Sequence, residues 1–272
     1  MTDAAQAVPA AQPVVLEARH GAVLTISLNR PDRLNALNLE LTSGLRDSLE
    51  RAAKDDSIRA VVITGSGRGF CAGGDLGYLR DLRNRNAMDE ASLMLAAATE
   101  MIVSIAEMQK PVIAAVNGPA AGAGMNIALA CDTRIASEHA TFGQTFVKIG
   151  LFPDFGGTFL LPRLVGPARA AELFYGAGMI SAKDAATFGL VNHVVAPDVL
   201  AAEAAALAGR LAMGPPIAMR AIKRTLFGEH SSDLRRALEA EALQQYECFR
   251  SADFAEGLAA FFEKRPPNFS GR

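Results

Sequence analysis

Two glycine-rich turns are the stretches of this chain whose residue types and spacing suit chemistry. One is Gly65-Ser66-Gly67-Arg68-Gly69-Phe70-Cys71-Ala72-Gly73-Gly74-Asp75 and the other is Asn117-Gly118-Pro119-Ala120-Ala121-Gly122-Ala123-Gly124. Each follows a short apolar run and precedes a helical pattern. Each can therefore aim main-chain N–H groups at a single oxygen, with the positive end of the next helix behind them. One such donor contributes about 3 kcal/mol of transition-state stabilisation, so a convergent pair would suit an enolate-type oxyanion. Spacing alone equally supports two tight turns that need glycine for unusual backbone angles or close packing. Neither turn is a nucleotide loop: the second lacks the Lys-Ser/Thr of a P-loop, and Met125-Asn126-Ile127 follows where a dinucleotide motif needs its third glycine. Asp154, between Pro153 and Phe155-Gly156-Gly157, is by residue type either a turn former or an acid–base group.

Other chemistries find little support. His20, His139, His193 and His230 are scattered, without the paired spacing of a metal site. Ser66, Ser104 and Ser137 lack a G-x-S-x-G setting. Cys71 lies in the first turn, but a nucleophilic thiol would need an activating base, and packing of a small side chain is the simpler reading. With Cys131 and Cys248 it makes three widely spaced cysteines, a pattern of reduced thiols in a cytoplasm rather than of disulfides. No metal or redox cofactor is expected. The 272 residues carry a formal net charge of -2, which gives no basic field for nucleic acid. No run reaches membrane-spanning length without polar interruption, and no secretory signal opens the chain.

The elements that must position these residues alternate in type. Residues 23–29, 60–64, 112–116, 132–137 and 189–195 read as strands. An amphipathic helix carries Leu37, Leu41, Leu45, Leu49 and Ala52 at helical spacing, with Asn38 as a possible cap. Further helices fit about 90–109 and the stretch to Ala130. This order predicts an α/β fold: a flexible tail over 1–12, a core over 13–197, and a helical region over 198–272. The last region divides into helices near 198–213, 215–227, 232–249 and 251–264. Leu258, Phe261 and Phe262 cluster near its end and should dock on the core or on another subunit.

The motifs, taken together, resemble the enoyl-CoA hydratase/isomerase (crotonase) superfamily. The opening Asn29-Arg30-Pro31-Asp32-Arg33-Leu34-Asn35-Ala36-Leu37 is similar to its first motif, and Gly69–Asp75 to its first oxyanion turn. Lys110-Pro111 through Cys131-Asp132 resembles the second turn, and Ile149-Gly150-Leu151-Phe152-Pro153-Asp154-Phe155-Gly156-Gly157-Thr158 follows in family order. The resemblance implies a spiral of repeated ββα units, C-terminal helices used in trimerisation, and trimers that often pair as hexamers. It implies an acyl-CoA thioester as substrate, with coenzyme A no separate cofactor, and the amides of Gly74 and Ala123 as donors to the thioester oxygen.

The family's hydratases hold water with two glutamates. Here those places fall on Asn126 and Phe146, and neither an amide nor a phenyl ring can act as a general base. Isomerases of the superfamily, including the ring-1,2-epoxyphenylacetyl-CoA isomerase of phenylacetate degradation, resemble this chain in carrying an aspartate where Asp154 stands. The resemblance thus implies an acyl-CoA isomerase with Asp154 as general base and with Asn126, Phe146 and Phe155 in the substrate pocket. Phenylalanines 146, 152 and 155 would lift the Asp154 pKa by desolvation. Arg33, Ala72 and Lys264 are the expected coenzyme A contacts, Lys264 reaching in from a neighbouring subunit. An enoyl-CoA hydratase and a non-catalytic acyl-CoA-binding protein stand as alternatives.

Overall fold

A computed structural model describes residues 12–227 and 231–272, so the expected tail lies, but for Gln12, outside the described residues. The chain enters through β1 (Val15–His20) and β2 (Val23–Leu28), an antiparallel pair. From there α1 (Leu39–Lys54) leads to β3 (Ala60–Gly65), and α2 (Leu76–Asn84) and α3 (Met88–Glu107) lead to β4 (Val112–Val116). The Asn38 side chain caps α1 by accepting from the Leu41 N–H at 3.0 Å. Leu41, Leu45, Leu49 and Ala52 turn one stripe of that helix fully into the core, each leucine contributing roughly 1.5–3 kcal/mol.

The middle of the chain repeats a rhythm. β4 is followed by β5 (Ala120–Ala121) and α4 (Ala123–Ala130), and β6 (Thr133–Ser137) by β7 (Thr141–Gly143) and, after a short 3-10 turn at Phe146–Ile149, by α5 (Gly157–Val165). Then come α6 (Pro167–Gly176), β8 (Ile180–Ser181), α7 (Ala182–Thr187) and β9 (His193–Val195). The large sheet runs β1-β2-β3-β4-β6-β9, parallel beyond β2, and a small sheet runs β5-β7-β8. Each unit therefore gives a strand to the large sheet, a short extended piece to the small side, and then a helix. Isolated parallel bridges from Leu37 to Gly74 and from Cys71 to Ala120 carry the small-side ladder back to the earlier units. This is the ββα spiral.

Both faces of the large sheet are covered, as a parallel sheet requires. Val61 and Ile63 face the main core with α1 and α3, whereas Ala60, Val62, Ile113 and Ala115 meet α8 (Leu200–Ala212) on the other side. The remaining helices are α9 (Pro216–Phe227), α10 (Ser231–Arg250) and α11 (Ala252–Glu263). Four C-terminal helices thus lie close to their expected bounds. The strand expected over 189–195 is shorter. Gly189 at φ +81° ends α7, with the Gly189 N–H on the Ala186 carbonyl and the Leu190 N–H on that of Ala185, so these residues close a helix before pairing begins. No helix among the described residues is long and apolar enough to cross a membrane.

Candidate active site

The small-side ladder brings the two glycine-rich turns together. Phe70 and Cys71 donate to the Pro119 carbonyl, each at 3.1 Å, and Ala121 donates to that of Cys71 at 3.0 Å. On the other edge Leu37 donates to the Gly73 carbonyl at 2.7 Å and accepts from Asp75 at 2.8 Å. Gly74 is gripped on both sides, while its own N–H has no acceptor among the described residues. Gly73 sits at φ +88°, and a Cβ there would lie 2.8 Å from the Ala121 carbonyl oxygen and 3.7 Å from the Ala123 nitrogen. Only a residue without a side chain permits that approach. Ala123 is the first residue of α4, so its amide belongs to the unsatisfied, positive end of a buried helix. Asp75 fixes the start of α2: its Oδ1 accepts from Gly77 and Tyr78, and its Oδ2 pairs with Arg30 at 2.9 Å.

These turns open on a cavity of about 520 Å³ whose lining includes Arg33, Ala72, Gly74, Ala123, Phe146, Asp154 and Phe155. Leu82 and Met94 from the segment after the first turn, and Tyr246 and Phe249 from α10, complete a mostly apolar wall. The carboxylates in that lining are Asp75 and Asp154. Asp75 is spent on Arg30 and on its helix cap. Asp154 is buried; its Oδ2 accepts from Gln245 Nε2 at 2.8 Å, and its Oδ1 has no partner. Burial pushes this carboxyl up to about 8, the Gln245 hydrogen bond pulls it down, and the nearby Glu241 charge adds to the rise. Such a group can gain and lose a proton near neutrality. The loop that presents it carries Phe155 at φ +54°, a conformation costing about 1 kcal/mol or more for a bulky residue.

Two expected site residues stand elsewhere. Asn126 is fully buried and lies outside the cavity lining. Its Nδ2 donates to the Asp154 carbonyl at 2.7 Å and its Oδ1 accepts from Gln144 at 2.7 Å, so it braces the Asp154 loop from behind instead of facing a ligand. Lys264 ends α11 at φ +56°, exposed and outside the lining. Phe152 also lies outside it and contributes a main-chain N–H, donated to Gln245. The cationic side chains in the lining are Arg33 and Lys148. Cys71 is fully buried and its thiol is pushed up to about 12 by desolvation, which leaves it packed and inert.

Sequence reasoning missed Glu241 and Gln245. A signal was present: the buried face of α10 reads Leu234, Leu238, Glu241, Gln245, Phe249, an apolar stripe with two polar residues in its middle. Buried polar groups in such a stripe must have dedicated partners.

Residues 18–272 match the sequence family described as Enoyl-CoA hydratase/isomerase. The 1,2-epoxyphenylacetyl-CoA isomerase of Escherichia coli K12 is 41% identical over 92% of this chain and 95% of its own length. A probable enoyl-CoA hydratase of Rhodobacter capsulatus is 45% identical over 91% of this chain and 94% of its own. The crystal structure of an enoyl-CoA hydratase from Mycobacterium avium subsp. paratuberculosis superposes with a TM-score of 0.86 at 35% identity, covering 94% of this chain and 98% of the other.

Proposed function

Since the chain belongs to the enoyl-CoA hydratase/isomerase family, we propose that it is an acyl-CoA isomerase, acting on an enoyl-CoA or a ring-1,2-epoxyphenylacetyl-CoA thioester. Asp154 removes a proton from the carbon beside the thioester. The C–H electrons pass into the enolate, whose oxygen is held by the Gly74 and Ala123 amides, and Asp154 returns the proton to another carbon. The observation that carries this reading is the buried Asp154 carboxyl, raised to about 8, on the same cavity as both free amides. The name of the Escherichia coli relative supports an isomerase. Arg33 and Lys148 are the cations offered to coenzyme A phosphates, with Ala72 beside them in the lining.

A homotrimer or hexamer belongs to the same reading. Ile222 and Leu226, one turn apart on α9, are exposed, as are Met213 and Ile217 near its start, apolar surface suited to a second copy of this chain, and Lys264 would then serve the neighbouring copy's cavity. Reduced thiols fit work in the cytoplasm. A hydratase is the second reading, favoured by the name of the Rhodobacter capsulatus relative.

Double-bond migration in a 3-enoyl-CoA, measured beside hydration of crotonyl-CoA, separates the readings. Isomerase turnover that falls about 100-fold or more in Asp154→Asn, with thioester binding kept, is the expected result. Fast hydration with no migration would transfer the assignment to hydratase, and binding without turnover or solvent deuterium exchange would leave an acyl-CoA-binding protein.

A further inference from the structure

Glu241 and Gln245 stand one turn apart on α10 and are nearly inaccessible to solvent. The two carboxylate oxygens of Glu241 gather the Gly156 N–H at 2.7 Å, the Thr158 N–H at 2.8 Å and the Thr158 hydroxyl at 2.5 Å. Gln245 works at the other end of the same loop. Its Oε1 accepts the Phe152 N–H at 3.0 Å, and its Nε2 donates to Asp154 Oδ2 at 2.8 Å. The Phe152 N–H can meet only the oxygen of the amide, so the amide's orientation is set by the main chain and its NH2 must face Asp154.

We propose that Gln245 is a positioning residue for proton transfer, a fixed amide donor that confines proton uptake and return to Oδ1 of Asp154. The inference rests on the reading of Asp154 as the base. A proton on Oδ2 would make that oxygen a hydroxyl and weaken it as the acceptor of the Gln245 N–H, whereas Oδ1 has no partner to lose. The acid form therefore carries its proton on Oδ1, and the ionised form keeps the amide hydrogen bond on Oδ2. The carboxyl thus keeps one defined oxygen, the buried and unpartnered Oδ1, for the proton, in a rotamer held from α10 while Asn126 on α4 holds the Asp154 carbonyl. Around this carboxyl Asn126, Phe146, Phe155 and Gln245 do not titrate, and Glu241 is the titratable group acting on it among the described residues. A neutral donor on Oδ2 also favours the ionised form, opposing burial and the Glu241 charge.

The test is the pH profile of kcat/KM for 3-enoyl-CoA migration in wild type, Gln245→Met, Gln245→Glu and Asp154→Asn. Methionine keeps the length and removes the donor and acceptor. Glutamate still accepts from Phe152 but, when ionised, cannot donate to Asp154, so it separates donor loss from loss of the loop anchor. Both variants should move the acid limb upward, Gln245→Met by about one pH unit, the size expected for a hydrogen bond to a charged group, and Gln245→Glu by at least as much because its ionised carboxylate also repels Asp154. Unfolding temperature and binding of crotonyl-CoA monitor the fold; should Gln245→Met fail to fold, the Gln245→Glu profile decides. An unmoved limb in a folded variant, with Asp154→Asn inactive, overturns the role of Gln245 and leaves Asp154 as the base. Full turnover in Asp154→Asn overturns both.

Discussion

The two halves of the cavity are built in opposite ways. On the side proposed as the oxyanion hole the groups offered to the thioester oxygen are main-chain N–H groups, and the contacts that hold them run between neighbouring rungs of one ladder, Leu37, Gly74, Cys71 and Ala120. On the acid–base side the group offered is one carboxyl, and its loop is held by side chains 85 and 93 residues further along the chain. The first half should tolerate changes of side-chain chemistry but not an added Cβ. The second should tolerate small changes of shape but not the loss of a donor or a charge. Backbone amides need no rotamer to be held, so close packing suffices for them, whereas a buried carboxyl needs partners to select its orientation and protonation state.

The largest effect should come from crowding the first half. A Cβ on Gly124 would lie 2.1 Å from the Cys71 carbonyl oxygen, so Gly124→Ala must part the two turns. Turnover should fall about 100-fold or more, together with a lower unfolding temperature. Steady-state kinetics beside calorimetry check both, and near-normal turnover would show that the turns need not touch.

Asp154→Asn should raise stability where it abolishes turnover. The Asp154 carboxyl has its pKa raised from 3.8 to about 8 in the folded chain, so its contribution favours folding below about pH 4 and is lost as pH rises through about 8. Asparagine does not titrate. The variant's advantage should be absent near pH 4, grow to the order of 6 kcal/mol by pH 8, and then level off. Unfolding in urea at several pH values reads this directly; equal stability at all pH values would mean that the carboxyl is not desolvated.

Glu241→Gln should act on the same half with a smaller, two-part signature. One amide NH2 would face the Gly156 or Thr158 donors, costing roughly 1–3 kcal/mol. Removing the negative charge that raises the Asp154 carboxyl should also move the acid limb of kcat/KM downward, opposite to the Gln245 variants. A limb moving upward would assign the loop's electrostatics to a different group.

The same contrast explains what was legible in the sequence. The strands around 23–28, 60–65 and 112–116, the Asn38 cap and the terminal helices are local patterns, and they are where the residues said. The two glycine-rich turns that carry Gly74 and Ala123 were legible because glycine leaves a local trace. β1 passed unread: five of its six residues are exposed, so it has no buried alternation. The α5–α7 stretch was missed as well, its first helix carrying Pro162 inside, which reads as a breaker. Asn126 was placed in the pocket because motif position says nothing of which way a side chain on an all-buried helix turns. Glu241 and Gln245 depend on partners far away in sequence, and only the polar break in the α10 stripe announced them.

The smallest effect tests whether the oxyanion half depends on side chains at all. Arg30 spans it from outside, with one guanidinium nitrogen on the Ala36 carbonyl and the other 2.9 Å from Asp75 Oδ2. Asp75 follows Gly74 and caps α2, so Arg30 is the side chain best placed to steady the first amide. Lysine keeps the charge but loses the two-pronged geometry. Asp75 still donates its N–H to Leu37, and Gly73 still accepts from it, so the main-chain grip on Gly74 survives. Arg30→Lys should therefore lower kcat only about threefold, with KM and the acid limb unchanged, because a partly exposed ion pair contributes about 1 kcal/mol or less. A loss of 100-fold would mean that this amide is aimed by the Arg30–Asp75 pair, and the two halves of the site would differ less than their hydrogen bonds suggest.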